Sequence, residues 1–278
     1  VWLEEYVEKE NMIVKKYRSG DFVVCNLSSI NLGKAVPDGV LERLIPIQMR
    51  MLDNVIDVNT LPIRQVEITN QKYRAVGLGT FGWHHLLALE NIQWESEEAV
   101  QYADKLYEDI AYLTIKSSME LGKEKGCYPV FPGSKWSTGA YFAEKGYTSE
   151  RWKALEKDVK QYGIRNGYLM AVAPNATTSI IAGSTASIDP VFKPFYFEEK
   201  KDYKMPVTAP DLNYRTYAVY RRSAYVLDQR WSVRQNAARQ KHVDQSISFN
   251  FYVPHNIRAA VLLDLHLQAW KEGLKTTY

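Results

Sequence analysis

The stretch Val172 to Pro190 reads VAPNATTSIIAGSTASIDP, and Asp189 is its single charge. Thr177, Thr178, Ser179, Ser184, Thr185 and Ser187 stand among small residues. A run of this kind does not fill a core. It offers backbone amides and hydroxyls, the groups that hold a phosphate or another anion. The strand-like YLMAVA precedes it and stops at Pro174. A short helix starting near Thr177 leaves its first amides without intrahelical acceptors. Pro174, Asn175, Ala176, Thr177, Thr178 and Ser179 are therefore the candidate anion-binding residues, with the two threonines as side-chain donors. The same residues also describe an ordinary capped helix start in a polar loop, and spacing alone leaves both readings open.

Three other features bear on chemistry. Gly77, Gly79 and Gly82 in GLGTFG spell G-x-G-x-x-G, and Glu97 and Glu98 follow about twenty positions on, which is formally a dinucleotide fingerprint. The preceding strand is short and carries Lys72 and Arg74, and the glutamates fit the first turn of a helix, where its dipole favours acids. A tight turn with close strand–helix packing is the better reading; a nicotinamide-dependent dehydrogenase is the alternative. Cys25 lies beside Val23 and Val24 in the apolar run Asp21–Leu27, read as a buried strand. A lone cysteine there is either an inert small hydrophobe or a redox thiol. Cys127, in a Gly-Cys-Tyr-Pro turn, reads as structural, and Tyr278 is one of nineteen tyrosines. The five histidines show no ligand spacing with Cys or Glu, so no metal site is expected.

These residues need a scaffold. Residues 38–58 have apolar positions at helical spacing, with Pro46 expected to kink them. YRAVGLGTFGWHHLLALENI reads as strand, glycine turn and helix. A long amphipathic helix follows Ser96 and ends near Gly122 or Gly126. Residues 132–147 read as loop, and a charged helix covers 149–162. A helix at 231–241, the alternating DQSISFNFYV and a helix at 256–272 complete the chain. Strand–helix alternation predicts an α/β class with parallel strands. No internal repeat, low-complexity tract or linker divides the sequence, so 1–278 reads as one unit.

Composition narrows the class. The net charge of +3 gives no electrostatic case for nucleic acid or an acidic membrane. No apolar run approaches the ~20 residues of a membrane span, and no secretory leader is visible. Two cysteines in 278 residues fit a reducing compartment, and a cytoplasmic location is expected. Val1 and the closing GLKTTY do not look like natural termini, so a piece of a longer protein is expected.

Several segments together resemble the large (alpha) subunit of class I ribonucleotide reductase: CNLSSINLG from Cys25, YRAVGLGTFG, APNATTSIIAGSTASIDP, DQSISFN from Asp244, and GLKTTY ending at Tyr278. The resemblance runs in order from about residue 20 to the last residue. It implies a ten-stranded α/β barrel with flanking helices, of which this chain would be the second half. The N-terminal region that binds ATP or dATP, and the first half-barrel with its specificity site, would be absent. It further implies that Cys25 is one of two substrate-reducing thiols. The residues from Pro174 to Ser179 would grip the diphosphate of a ribonucleoside diphosphate. Tyr278 would pass a radical from a metal-containing small (beta) subunit. No cofactor would be bound directly, and a thioredoxin- or glutaredoxin-type protein would supply electrons. The expected partners are that small subunit, the rest of the alpha subunit and a second alpha chain.

One departure is serious. The family's radical cysteine lies in an Asn-Leu-Cys-x-Glu motif that these residues lack, as they lack the tail cysteine pair that re-reduces the site. The isolated chain is thus expected to be inert, and a non-catalytic complementing fragment is the second alternative.

Overall fold

Glycine sets the geometry of the central sheet. A Cβ on Gly79 would run into the Ala171 carbonyl oxygen, and one on Gly77 into the Leu27 side chain. Only bare backbone lets the neighbouring segments approach this closely. The computed structural model describes residues 2–18, 20–199 and 201–278.

The first half of the chain runs β1 (Trp2–Lys9), β2 (Met12–Arg18), β3 (Leu27–Asn31), α1 (Leu32–Ala35), α2 (Leu41–Val58), α3 (Arg64–Tyr73), β4 (Gly77–Phe81), α4 (Trp83–Leu89) and α5 (Glu97–Lys125). The second half runs α6 (Lys135–Thr138), α7 (Ala140–Lys145), α8 (Glu150–Tyr162), α9 (Ala176–Ile181), β5 (Phe195–Glu199), β6 (Lys204–Thr208), α10 (Tyr214–Tyr220), α11 (Gln229–Gln240) and α12 (Ala259–Lys271).

β3 and β4 pair in parallel, from Leu27 opposite Gly77 to Asn31 opposite Phe81. Parallel bridges extend this pair through Leu78 to Met170 and through Val172 to Ile247. The last segment joins in the same sense, because Tyr278 N donates to Phe249 O and Phe251 N to Tyr278 O, both at 2.9 Å. Five parallel segments thus follow one another in chain order, with helices between them, as the βαβ rule requires. The described residues form no closed barrel. β1–β2 and β5–β6 are separate antiparallel hairpins.

The long helix behaves as its sequence predicts. Ser96 accepts a hydrogen bond from Ala99 N at 3.1 Å, Glu97 and Glu98 occupy the first turn, and Gly126 caps the end. Such a cap contributes about 1 kcal/mol. α5 packs against α2, α8 and α11. The core lies on this side of the sheet, with Trp83, Trp94, Trp152, Tyr107 and Phe142 fully buried. Asp53 on α2 is also buried, and Arg74 Nε (2.9 Å), Arg165 Nε (3.2 Å), Lys125 Nζ (3.4 Å) and Asn166 Nδ2 (3.2 Å) all donate to its carboxylate. This clamp pins the ends of α2, α3 and α5 to the segment entering Met170.

Several expectations drawn from the sequence need correction. Asp21–Leu27 is not a buried strand: β3 begins at Leu27, and Phe22, Val23 and Val24 are exposed. Gly77 and Gly79 are strand residues, and only Gly82 has a positive φ, +83°. Lys72 lies on α3, and Arg74 is its left-handed C-cap, not a strand residue. The segment 132–147 carries α6 and α7. α2 runs without a break through Pro46. YLMAVA and DQSISFNFYV join the sheet through isolated bridges and scattered backbone hydrogen bonds, not as continuous strands.

Candidate functional site

Asn26 is held from two sides: its Nδ2 donates to Leu52 O at 2.8 Å, and its carbonyl accepts Gly77 N at 2.9 Å. That fixes the residue next to Cys25 against α2 and β4. Cys25 itself precedes β3, carries a free thiol and is exposed. The thiol-bearing residue is therefore not packed away, contrary to the strand reading. It lines a cavity of about 850 Å³ together with Gly77, Ala173, Pro174, Ser246 and Thr276. A volume of this order suits a small-molecule site.

Pro174 leads from that cavity into the polar run. Asn175 adopts a left-handed conformation, φ +49°. Its Nδ2 donates to Ser29 Oγ at 3.0 Å and to Ala173 O at 2.9 Å, which locks the turn onto β3. α9 then starts at Ala176, one residue before the expected Thr177. Thr177 and Thr178 are exposed, and their hydroxyls engage no partner among the described residues. Ser179 differs: it is buried, its N donates to Asn175 O and its Oγ to Ala176 O at 2.8 Å. Its donors are spent on the turn. The donors left facing outward are the first amides of α9 and the two threonine hydroxyls.

The run ends at Asp189, which sequence reasoning did not single out. Its Oδ2 accepts from Asn250 Nδ2 at 2.6 Å and from Tyr252 Oη at 3.0 Å. Burial pushes the Asp189 carboxyl up to about 6, against the pull of these two donors. Its one visible signal was being the lone acid in an uncharged stretch. Ser29 gave no signal at all. Asn250 belongs to the segment that pairs with Tyr278, so both ends of the polar run are tied to the sheet. Tyr278 is held through its backbone, while its side chain is 88% exposed.

Cys25 and Pro174 thus share one cavity. Asn175 reaches β3 beside it, whereas Ala176, Thr177, Thr178, Ser179 and Tyr278 do not line it. Cys127 is half-buried elsewhere, with its Sγ donating to Tyr162 O at 3.4 Å. Among the described residues, no three His, Cys, Asp or Glu side chains gather as a metal ion would need. No described helix is long and apolar enough to cross a membrane.

The structure thus presents a parallel sheet with an exposed thiol beside a polar loop, and comparison with known proteins places the chain in a family. The family model for the ribonucleotide reductase barrel domain matches residues 5–212 and 200–278. The chain is similar to ribonucleoside-diphosphate reductase subunit alpha of Treponema pallidum (strain Nichols), 45% identical over 274 residues, covering 98% of this chain and 32% of that protein. The corresponding subunit of Helicobacter pylori (strain ATCC 700392 / 26695) is 41% identical over 278 residues, covering 95% and 35%. That of Synechocystis sp. (strain ATCC 27184 / PCC 6803 / Kazusa) is 33% identical over 274 residues, covering 91% and 35%. The chain belongs to the ribonucleotide reductase barrel-domain family. It spans between 32% and 35% of the length of these relatives. Membership removes the dinucleotide reading of GLGTFG, which the strand positions of Gly77 and Gly79 already oppose.

Proposed function

We propose that this chain is part of the catalytic subunit of a ribonucleoside-diphosphate reductase, forming one wall of its active site. The supporting observation is that exposed Cys25 and Pro174, at the mouth of the polar run, line a single cavity in a member of this family.

In this reading the diphosphate is held by the first amides of α9 and by Thr177 and Thr178, while Asn175 and Ser179 keep the turn in shape. Holding the diphosphate fixes the ribose without reading the base, and positioning of this kind lowers the barrier by several kcal/mol, up to roughly 10. Cys25 is one of two thiols that reduce the sugar. The two thiols give up two electrons and two protons and join as a disulfide, and the 2′ oxygen leaves as water. The second thiol and the cysteine that takes the 3′ hydrogen belong to the remaining part of the subunit. Tyr278 relays the radical from a separate metal-containing subunit. A thioredoxin-type protein returns the disulfide to the dithiol. The ten-stranded closed barrel belongs to the complete subunit.

The test uses the complete reductase. Cys25→Ser is expected to keep substrate affinity and abolish turnover, and Cys127→Ser to leave both intact. Normal turnover by Cys25→Ser with a thioredoxin-type reductant overturns the assignment.

A further inference from the structure

Ser184 of the polar run forms a hydrogen-bonded string with His85 and Asp211 behind it. Ser184 Oγ lies 3.0 Å from His85 Nδ1, and His85 Nε2 lies 2.8 Å from Asp211 Oδ2. The backbone N of His85 adds a third link by donating to Thr185 Oγ1 at 3.2 Å. His85 and Ser184 are buried, whereas Asp211 is largely exposed.

The chemistry of the partners orients each bond. Burial holds His85 below the ordinary imidazole value, against the opposing pull of Asp211, which favours a neutral ring with one N–H. A carboxylate only accepts, so that proton stands on Nε2 and Nδ1 accepts from the Ser184 hydroxyl. Two glycines make the room. A Cβ on Gly33 would run into His85 Nδ1, and one on Gly82 into Ser184 Oγ. Each glycine therefore abuts one of the two atoms of the Ser184–His85 hydrogen bond.

A Ser–His–Asp string is also the arrangement of an acyl-transfer nucleophile. Here Ser184 meets the wrong ring nitrogen for that template, and its hydroxyl is packed against Gly82. It does not line the cavity that holds Cys25. The string is a strut.

What it supports is the anion-binding turn. Ser184 N donates to Ser179 O at 2.9 Å, and Ser179 in turn bonds Asn175 and Ala176. Asn31 Nδ2, on β3, donates to Ala182 O at 3.3 Å. Asn175 fixes the front of the turn to β3, and Ser184 fixes its back to α4. We propose that His85 is a positioning residue for the substrate-anchoring loop, holding α9 through Ser184 so that its amides and threonines keep the spacing a diphosphate needs; this rests on the reading of α9 as the diphosphate site.

Two substitutions separate the links. The shorter His85→Asn can still accept from Ser184, whereas His85→Gln can still reach Asp211. In the complete reductase, His85→Gln and Ser184→Ala are expected to raise the nucleoside diphosphate KM by about three- to tenfold, the effect of one lost buried hydrogen bond, with kcat little changed. His85→Asn is expected to recover most of the wild-type KM. The double variant His85→Gln/Ser184→Ala is expected to be no worse than either single one, as for two partners of one bond. Ser184→Ala removes a single oxygen and keeps the test available if His85→Gln does not fold. Thr177→Val/Thr178→Val is measured alongside. If it raises KM while Ser184→Ala and His85→Gln do not, the diphosphate reading stands and the strut is overturned. If none of the three moves KM, the diphosphate reading has failed and the strut falls with it.

Discussion

Asp189 shows how much one side chain can contribute at the residue scale. Its carboxyl is buried, bonded to Asn250 and Tyr252, and raised from 3.8 to about 6. Because the folded value lies above the unfolded one, the folded state holds the proton more tightly. The stability this confers is fully present below about pH 4 and is lost as pH rises through 6. Relative to Asp189→Asn, the wild-type chain is therefore expected to lose on the order of 2–3 kcal/mol between these limits. Denaturant melts of the two proteins at several pH values check this, and a constant difference contradicts it. Cys25 makes the complementary point. Its neighbours Val23 and Val24 made it look buried, yet the thiol is open to the cavity. An apolar run states that its residues want cover and does not state where the cover comes from.

At the scale of elements, what was legible in the sequence was what is decided locally. α5 and α8 were readable because a helical period, a capping residue and a closing glycine all lie in or beside the element itself. The sheet was not readable in the same way. LSSIN and GLGTF carry no apolar alternation, and the segments at Met170 and Ile247 join through isolated bridges. Their pairing depends on partners far along the chain. The polar run was legible as an oddity, while the residues bracing it, Ser29, His85 and Asn250, lie on other elements. The glycines of β4 were legible as needed but misplaced in a turn. Gly79→Ala tests their actual task. Its methyl would overlap the Ala171 carbonyl, so the strands must separate, and a loss of about 1–3 kcal/mol is expected by thermal or urea unfolding. Gly39→Ala, where a Cβ would meet no atom within 4 Å, is the comparison for backbone strain alone, since its φ is +63°. Equal losses in the two variants would remove close strand approach as the reason for Gly79.

For the whole molecule, the two outer of the five parallel segments have no second strand partner among the described residues, and α12 leaves Leu263, Leu267 and Trp270 exposed. Unpaired strand edges and large apolar patches mark surfaces that other protein covers. The purified chain alone is expected to reduce no nucleotide, and co-expression with the remaining part of a related alpha subunit is expected to yield a stable complex. Turnover by the chain alone, or failure of the two parts to associate, contradicts this. The order of the strands also governs how quickly such a sheet can assemble. Leu27 waits for Gly77, Leu78 for Met170 and Val172 for Ile247, so each pairing closes a long loop before any sheet energy is returned. Chains dominated by such distant pairings fold slowly. During synthesis β3 emerges with no neighbour and stays an open edge until β4 follows, while α2 can already form. The nascent chain is therefore most exposed to misassociation in the interval after its helices have formed and before its last strand has left the ribosome.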